Sequence, residues 1–163
     1  MHRPTELDRL MSNRNESSRT KKTVAARNGA VEQEAPSRIL IVDDDPDILE
    51  SLKDLIELSG GGYDIDTALD ADSALQAARA APPSVAIIDV KLGASNGIDL
   101  IPRLQRVDQD TICIIMTAYR DPSYAARALE SGANEFLYKP LDPEQMSNLL
   151  TRLARRDPSE DDH

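Results

Sequence analysis

Residues 38–50 read RILIVDDDPDILE. Four aliphatic residues, Ile39 to Val42, run straight into three aspartates, Asp43, Asp44 and Asp45, and then Pro46. A short, unbroken aliphatic run suits a strand buried on both faces of a parallel sheet. The Asp-Pro step that follows is a helix start. Asp45 can cap it, Pro46 fits its first position, and Asp47 favours the positive end of the helix dipole. Capping accounts for Asp45 and Asp47. It leaves Asp43 and Asp44 unexplained, although neighbouring carboxylates at a strand end repel one another.

The same strand-then-helix unit recurs along the chain. The segment PDILESLKDLIELSG repeats apolar residues at helical spacing and stops at GGG, residues 60–62. YDIDTA alternates like a half-buried strand, and DADSALQAARA reads as a second helix closed by Pro82 and Pro83. SVAII is a third strand. NGIDLIPRLQRV reads as a third helix, in which Pro102 is expected to weaken or kink the rod. TICIIM is a fourth strand. DPSYAARALESG is a fourth helix opened by Asp121-Pro122 and ended by Gly132. EFLY makes a short fifth strand, and DPEQMSNLLTRLARR a fifth helix. Five strands alternating with five helices predict one α/β domain built on a parallel sheet, over residues 37–156.

The flanks differ from this core. Residues 1–36 carry seven Lys/Arg against five Asp/Glu, and residues 37–163 carry twelve against twenty-four. The first stretch is polar and lacks a sustained period, so it reads as a disordered extension, and the acidic end, residues 157–163, as a disordered tail. His2 and His163 fall in these flanks and receive no catalytic role. The formal charge of −10 argues against nucleic acid as a direct partner. Cys113, the only cysteine, offers neither an internal disulfide nor a CxxC metal site and reads as a small buried hydrophobe. This suits a reducing cytoplasm. No apolar run approaches the roughly 20 residues of a membrane span, and the N-terminus has no apolar signal core.

The chemistry gathers where the strands end. The first strand ends in Asp43-Asp44, the third in Asp89, the fourth in Thr117 and the fifth in Lys139. In a parallel sheet these ends share one edge, where open α/β sheets bind ligands. Each residue has an ordinary use taken alone: Lys139 in a surface ion pair, Thr117 as a helix cap, Asp89 in a turn. Together they form a set. Three carboxylates repel unless a hard cation such as Mg²⁺ sits among them. A carboxylate can attack phosphorus to give an acyl phosphate, while an ammonium and a hydroxyl can hold the phosphoryl oxygens.

The motifs ILIVDDDPDIL, AIIDVKLGASNGIDLI, IIMTAY and GANEFLYKPLDPEQ resemble the receiver domain of two-component response regulators, over residues 38–155. The resemblance implies a flavodoxin-like five-stranded parallel sheet of strand order 2-1-3-4-5 with five flanking helices. It implies Asp89 as phosphoacceptor and Asp44 as direct metal ligand. Asp43 would act mainly through water, and the backbone carbonyl of Lys91 would complete the Mg²⁺ shell. Thr117 corresponds to the switch hydroxyl and Lys139 to the family lysine, which precedes a proline whose peptide is often cis. Phe136 falls at the switch aromatic, ahead of Tyr138, and core packing is its other use.

Departures from the family pattern touch the loop after Asp89, where Gly93 and Ser95 replace the usual Pro and Met and should loosen it. Lys91 and Tyr119 flank the expected path of attacking water, which implies slow self-dephosphorylation. Leu149 stands where family dimers place an arginine, so a monomer or a weak phosphorylation-dependent dimer is expected.

The function implied is a cytoplasmic signalling switch rather than a turnover enzyme. It would take phosphate from a histidine kinase or histidine phosphotransfer protein and act on a protein target through the face of the fourth helix, fifth strand and fifth helix. With few residues after the fifth helix, a stand-alone receiver is expected. The alternatives are the receiver piece of a longer transcriptional regulator, a phosphorylation-independent binding module, and a DxD phosphatase. The last would need an aspartate where Lys91 stands.

Overall fold

The computed structural model describes residues 37–154. The readings made for residues 1–36 and 157–163 lie outside them. Five parallel strands, β1 (Arg38–Val42), β2 (Asp64–Ala68), β3 (Val85–Asp89), β4 (Ile112–Thr117) and β5 (Glu135–Tyr138), form one sheet in the order β2-β1-β3-β4-β5. The helices α1 (Pro46–Leu58), α2 (Ala71–Ala80), α3 (Leu100–Val107), α4 (Pro122–Glu130) and α5 (Pro143–Ala154) connect and flank them. This is the doubly wound architecture that the alternation predicts. Among the described residues no helix is long and apolar enough to cross a membrane.

Strand alternation builds two separate cores. Ile39, Ile41, Val85, Ile87, Ile114 and Met116 point to one face, where Leu49, Leu52 and Ile56 of α1 and Met146, Leu149 and Leu150 of α5 cover them. Leu40, Val42, Ala86, Ile88, Cys113 and Ile115 point to the other, where Ala74, Leu75 and Ala78 of α2, Leu100, Ile101 and Leu104 of α3 and Ala128 of α4 cover them. This two-sided covering is why the central strands read as unbroken aliphatic runs. Leu149 is 1% exposed, so the leucines of α5 at positions 149 and 150 serve the core rather than a partner. Cys113 is fully buried as expected, and burial pushes its thiol up to about 12, so it stays protonated.

The helix starts follow the local rules. Asp45 accepts from the Asp47 N–H, Asp70 from Ser73 and Asp121 from Ser123, and α1 and α4 each open with proline. The third helix departs from a single rod. Gly97–Asp99 forms a 3₁₀ turn capped by Asn96, and the α-helix begins only at Leu100. Pro102 therefore sits in the first α-helical turn, where a backbone N–H has no helical partner and its loss costs little. A small antiparallel hairpin, Lys91–Leu92 against Ser95–Asn96, fills the loop after β3, a feature too short to show in the sequence pattern.

Gly97 ties this loop to the end of β3. Its N–H donates to the Val90 carbonyl at 2.6 Å. It is buried, and a Cβ there would collide with the Asp89 carbonyl oxygen and the Ile88 side chain. Gly97→Ala should therefore destabilise the domain by about 1–3 kcal/mol, the usual cost of overpacking. Urea unfolding would measure it, and an unchanged midpoint would mean that the loop shifts freely away from Asp89.

Candidate functional site

The carboxyl ends of β1, β3 and β5 bring three of the predicted groups into contact. Asp43 follows β1 and is 1% exposed; Asp89 closes β3 and is 7% exposed. Lys139, one residue beyond β5, reaches both. Its Nζ lies 2.5 Å from Asp43 Oδ2 and 3.4 Å from Asp89 Oδ1. The hydrogen-bond ladder explains the convergence. Asp43 N–H donates to the Ala68 carbonyl and Lys139 N–H to the Thr117 carbonyl, so strand geometry continues one residue past each element. By alternation Asp43, Asp89 and Lys139 then all fall on the α1/α5 side of the sheet.

Asp44 completes an acid cluster. One oxygen from each of Asp43, Asp44 and Asp89 lies within 4.8 Å of the others. Asp44 is exposed and accepts from the Gly93 N–H at 3.0 Å, which joins it to the hairpin loop. Asp43 uses its other oxygen to accept from the Asp45 N–H at 2.9 Å. The acidic run that opened the sequence thus divides: Asp45 caps α1, while Asp43 and Asp44 face Asp89. The donor set is entirely oxygen and carries three formal negative charges against one lysine. That combination suits a hard divalent cation, and the exposure of Asp44 leaves a side open to solvent.

Burial and the neighbouring Asp43 and Asp44 push the Asp89 carboxyl up, against the pull of Lys139, to about 6. Burial is the largest cause and Lys139 the strongest opposing one. An unpartnered carboxylate is thus costly here, and a cation beside it would relieve the cost.

The remaining predicted residues frame this centre. Thr117 is fully buried at the end of β4, on the opposite face by alternation, and its Oγ1 accepts from the Tyr119 N–H at 3.0 Å. Lys91 is exposed at the start of the hairpin, two residues past Asp89. Phe136 is half-buried against the α2/α3/α4 core and pairs across the sheet with Ile115, whereas Tyr138 pairs with Thr117. The Lys139–Pro140 peptide is cis.

Two contributors escape sequence reasoning. One is Gly97, whose missing side chain lets the loop close on Asp89. The other is Arg120, whose guanidinium lies 4.8 Å from the centroid of the Tyr138 ring. Tyr138 in turn meets Phe136 edge-on at 5.3 Å. A cation–π contact between residues eighteen apart leaves no periodic signal.

A sequence profile of the response regulator receiver domain matches residues 39–151. The chain belongs to the response regulator receiver family. Receiver domains are signalling modules rather than conventional enzymes; they bind Mg²⁺ at an acidic pocket and interact with histidine kinases and downstream targets. Relatives include the DNA-binding response regulator MtrA of Mycolicibacterium smegmatis, 36% identical over 121 residues that make up 74% of this chain and 52% of that protein. The transcriptional regulatory protein PrrA of Mycobacterium leprae is 30% identical over 119 residues, 73% of this chain and 50% of that protein. The chain spans about half the length of these curated relatives. Among solved structures, a CheY-like receiver domain protein from Methanospirillum hungatei superposes with a TM-score of 0.67 at 28% identity, covering 74% of this chain and 95% of that one. The chemotaxis protein CheY4 of Vibrio cholerae superposes at 0.66 and 28% identity, covering 73% and 99%.

The raised Asp89 pKa has a consequence for this receiver's stability. The unfolded side chain titrates near 3.8 and the folded one near 6. Between these values the folded chain holds a proton that the unfolded chain has lost, so stability falls as pH rises through that window. At neutral pH and without divalent metal the cost is at most about 3 kcal/mol, at 1.36 kcal/mol per pH unit. Asp89→Asn should therefore raise the melting temperature at pH 7.5 and lose that advantage by about pH 4. Thermal unfolding across pH checks this, and equal melting temperatures at pH 7.5 would contradict it.

Proposed function

We propose that Asp89 accepts a phosphoryl group and that the chain works as a phosphorylation-dependent switch. The observation that carries this reading is the Lys139 ammonium held between Asp43 and Asp89 beside the exposed Asp44. In the proposed step an Asp89 oxygen attacks the phosphorus of a phosphohistidine on a histidine kinase or histidine phosphotransfer protein. The new P–O bond forms as the P–N bond breaks, and the departing imidazole nitrogen takes a proton. Mg²⁺ is the fitting ion, and Asp43, Asp44, Asp89 and the Lys91 carbonyl would hold it. When bound it supplies charge neutralisation to the phosphoryl oxygens.

This chain's own residues do the rest. Lys139 is already within reach of the Asp89 oxygen and pairs with a phosphoryl oxygen as negative charge accumulates there. Asp43 holds Lys139 in place. The Thr117 hydroxyl turns toward the phosphoryl group, giving up its bond from the Tyr119 N–H and shifting the loop that leads into α4. Phe136 is the aromatic that follows this movement, with Tyr138 and Arg120 stacked beside it. The output face is that of α4, β5 and α5, where Leu129 of α4 is exposed, and its target is a protein bound by a monomer or a weak phosphorylation-dependent dimer.

A second reading is favoured by the half-length match to regulators named as DNA-binding and transcriptional: the same switch controlling a DNA-binding output. It shares the site chemistry and differs only in what the output face touches.

A phosphate-affinity gel with acetyl phosphate should show a shifted band that requires Mg²⁺ and disappears in Asp89→Ala. No shift with acetyl phosphate, together with no binding of beryllofluoride, would leave a phosphorylation-independent binding module. Lys91 and Tyr119 are both exposed beside the site and are bulky enough to screen attacking water. Hydrolysis of the phosphorylated chain should be slow, and Lys91→Ala with Tyr119→Asn should speed it about tenfold or more, equivalent to roughly 1.4 kcal/mol of barrier. Decay followed on the same gel would reveal this; a wild-type half-life unchanged by both substitutions would remove the screening role.

A further inference from the structure

At the opposite edge of the sheet from the acid cluster, Arg79, Pro82, Arg103, Arg106 and Val107 line a groove of about 450 Å³. Arg79 closes α2, while Arg103 and Arg106 lie one turn apart on α3. These helices run back against the strands, so the groove lies beside the starts of β3 and β4. The strands β4 and β3 separate it from Asp89 by roughly 15–20 Å, at about 3.3 Å per residue.

Its composition stands out in a chain of formal charge −10. No acidic residue lines it. Among the described residues Arg38 and Arg152 pair with carboxylates and Arg120 stacks on Tyr138, whereas Arg79, Arg103 and Arg106, like Arg127 on α4 outside the groove, have no carboxylate oxygen within 4.0 Å. Helix dipoles account for a cation in the last turn, and so for Arg79 and Arg106. They do not account for Arg103, nor for three guanidiniums turned to one groove.

The walls are built rather than loose. The buried Thr111 hydroxyl donates to the Pro83 carbonyl at 2.8 Å, which ties the Pro82-Pro83 turn to the start of β4. Asp108 stops α3, and its Oδ1 accepts from the Asp110 N–H at 2.9 Å, so the carboxylate two residues from Arg106 is engaged in the turn. Gln105 donates to the Gly132 carbonyl at 3.1 Å and holds α3 against the turn after α4.

We propose that this groove docks an acidic peptide segment of a partner protein, on a surface separate from the phosphorylation site and from the output face. Guanidiniums match carboxylates in a two-pronged geometry, and a rigid wall lowers the entropy cost of engaging them. All three arginines are exposed, so they meet an approaching chain and do not enclose a small anion. Pro82 and Val107 offer apolar contact between the charges. The strongly acidic remainder of the domain would repel a longer polyanion such as duplex nucleic acid.

The test uses the full chain and a fluorescein-labelled poly-glutamate peptide, read by anisotropy at low and high salt. The wild type should bind the peptide, with weaker binding at high salt. The variant Arg79→Ala/Arg103→Ala/Arg106→Ala should bind about tenfold more weakly or worse, and Arg103→Gln alone should show part of that loss. Mg²⁺-dependent phosphorylation by acetyl phosphate should be unchanged in both variants, which separates this surface from the Asp89 reading and reports an intact fold. Peptide binding that is absent in the wild type, or equal in the triple variant, would overturn the proposal. So would inorganic pyrophosphate or a short DNA duplex binding this groove more tightly than the peptide.

Discussion

Three carboxylates share the edge of a buried sheet with one lysine, and most of the structure serves to hold them there. Asp43 and Asp89 are almost completely shielded from water, so their repulsion is weakly screened. The Lys139 ammonium offsets part of it and is itself fixed by the last residue pair of the β4–β5 ladder. Burial above all, with the remaining repulsion from Asp43 and Asp44, pushes the Asp89 carboxyl up. The site is thus short of positive charge, with three carboxylates against one lysine.

The surrounding fold holds the charged groups in place. Two cores grip the sheet from both sides, so the strands cannot relax apart to separate the charges. The loop after β3 touches Asp44 through Gly93 and packs against the Asp89 backbone at Gly97, and the segment after β4 is held by the bond from the Tyr119 N–H to the Thr117 hydroxyl and by the Arg120–Tyr138 contact. The Arg120–Tyr138–Phe136 stack joins the loop after β4 to strand β5.

The chain also keeps its two charged surfaces apart. The acid cluster lies at the carboxyl edge of the sheet, and the arginine groove lies where the helices return to the strand starts. Every crossover in a parallel sheet carries the chain from the carboxyl edge back to the amino edge, which sets the two surfaces at opposite ends of the strands.

Much of this was legible in the residues alone. Unbroken aliphatic runs reported strands covered on both faces, and Asp-Pro steps and glycine stops bounded the helices, because these signals are local and backbone chemistry enforces them. The residues Asp43, Asp44, Asp89, Thr117 and Lys139 were visible because each ends a strand, and a parallel sheet brings strand ends to one edge. Tertiary structure alone decided the rest. It showed that Lys139 contacts Asp43 more closely than Asp89, that the 3₁₀ turn absorbs Pro102, and that Gly97 must lack a side chain to pass the Asp89 carbonyl. It also decided that Leu149 belongs to the core, and that three arginines from two helices share a groove. These outcomes depend on distances between segments far apart in the chain, which sequence periodicity does not encode.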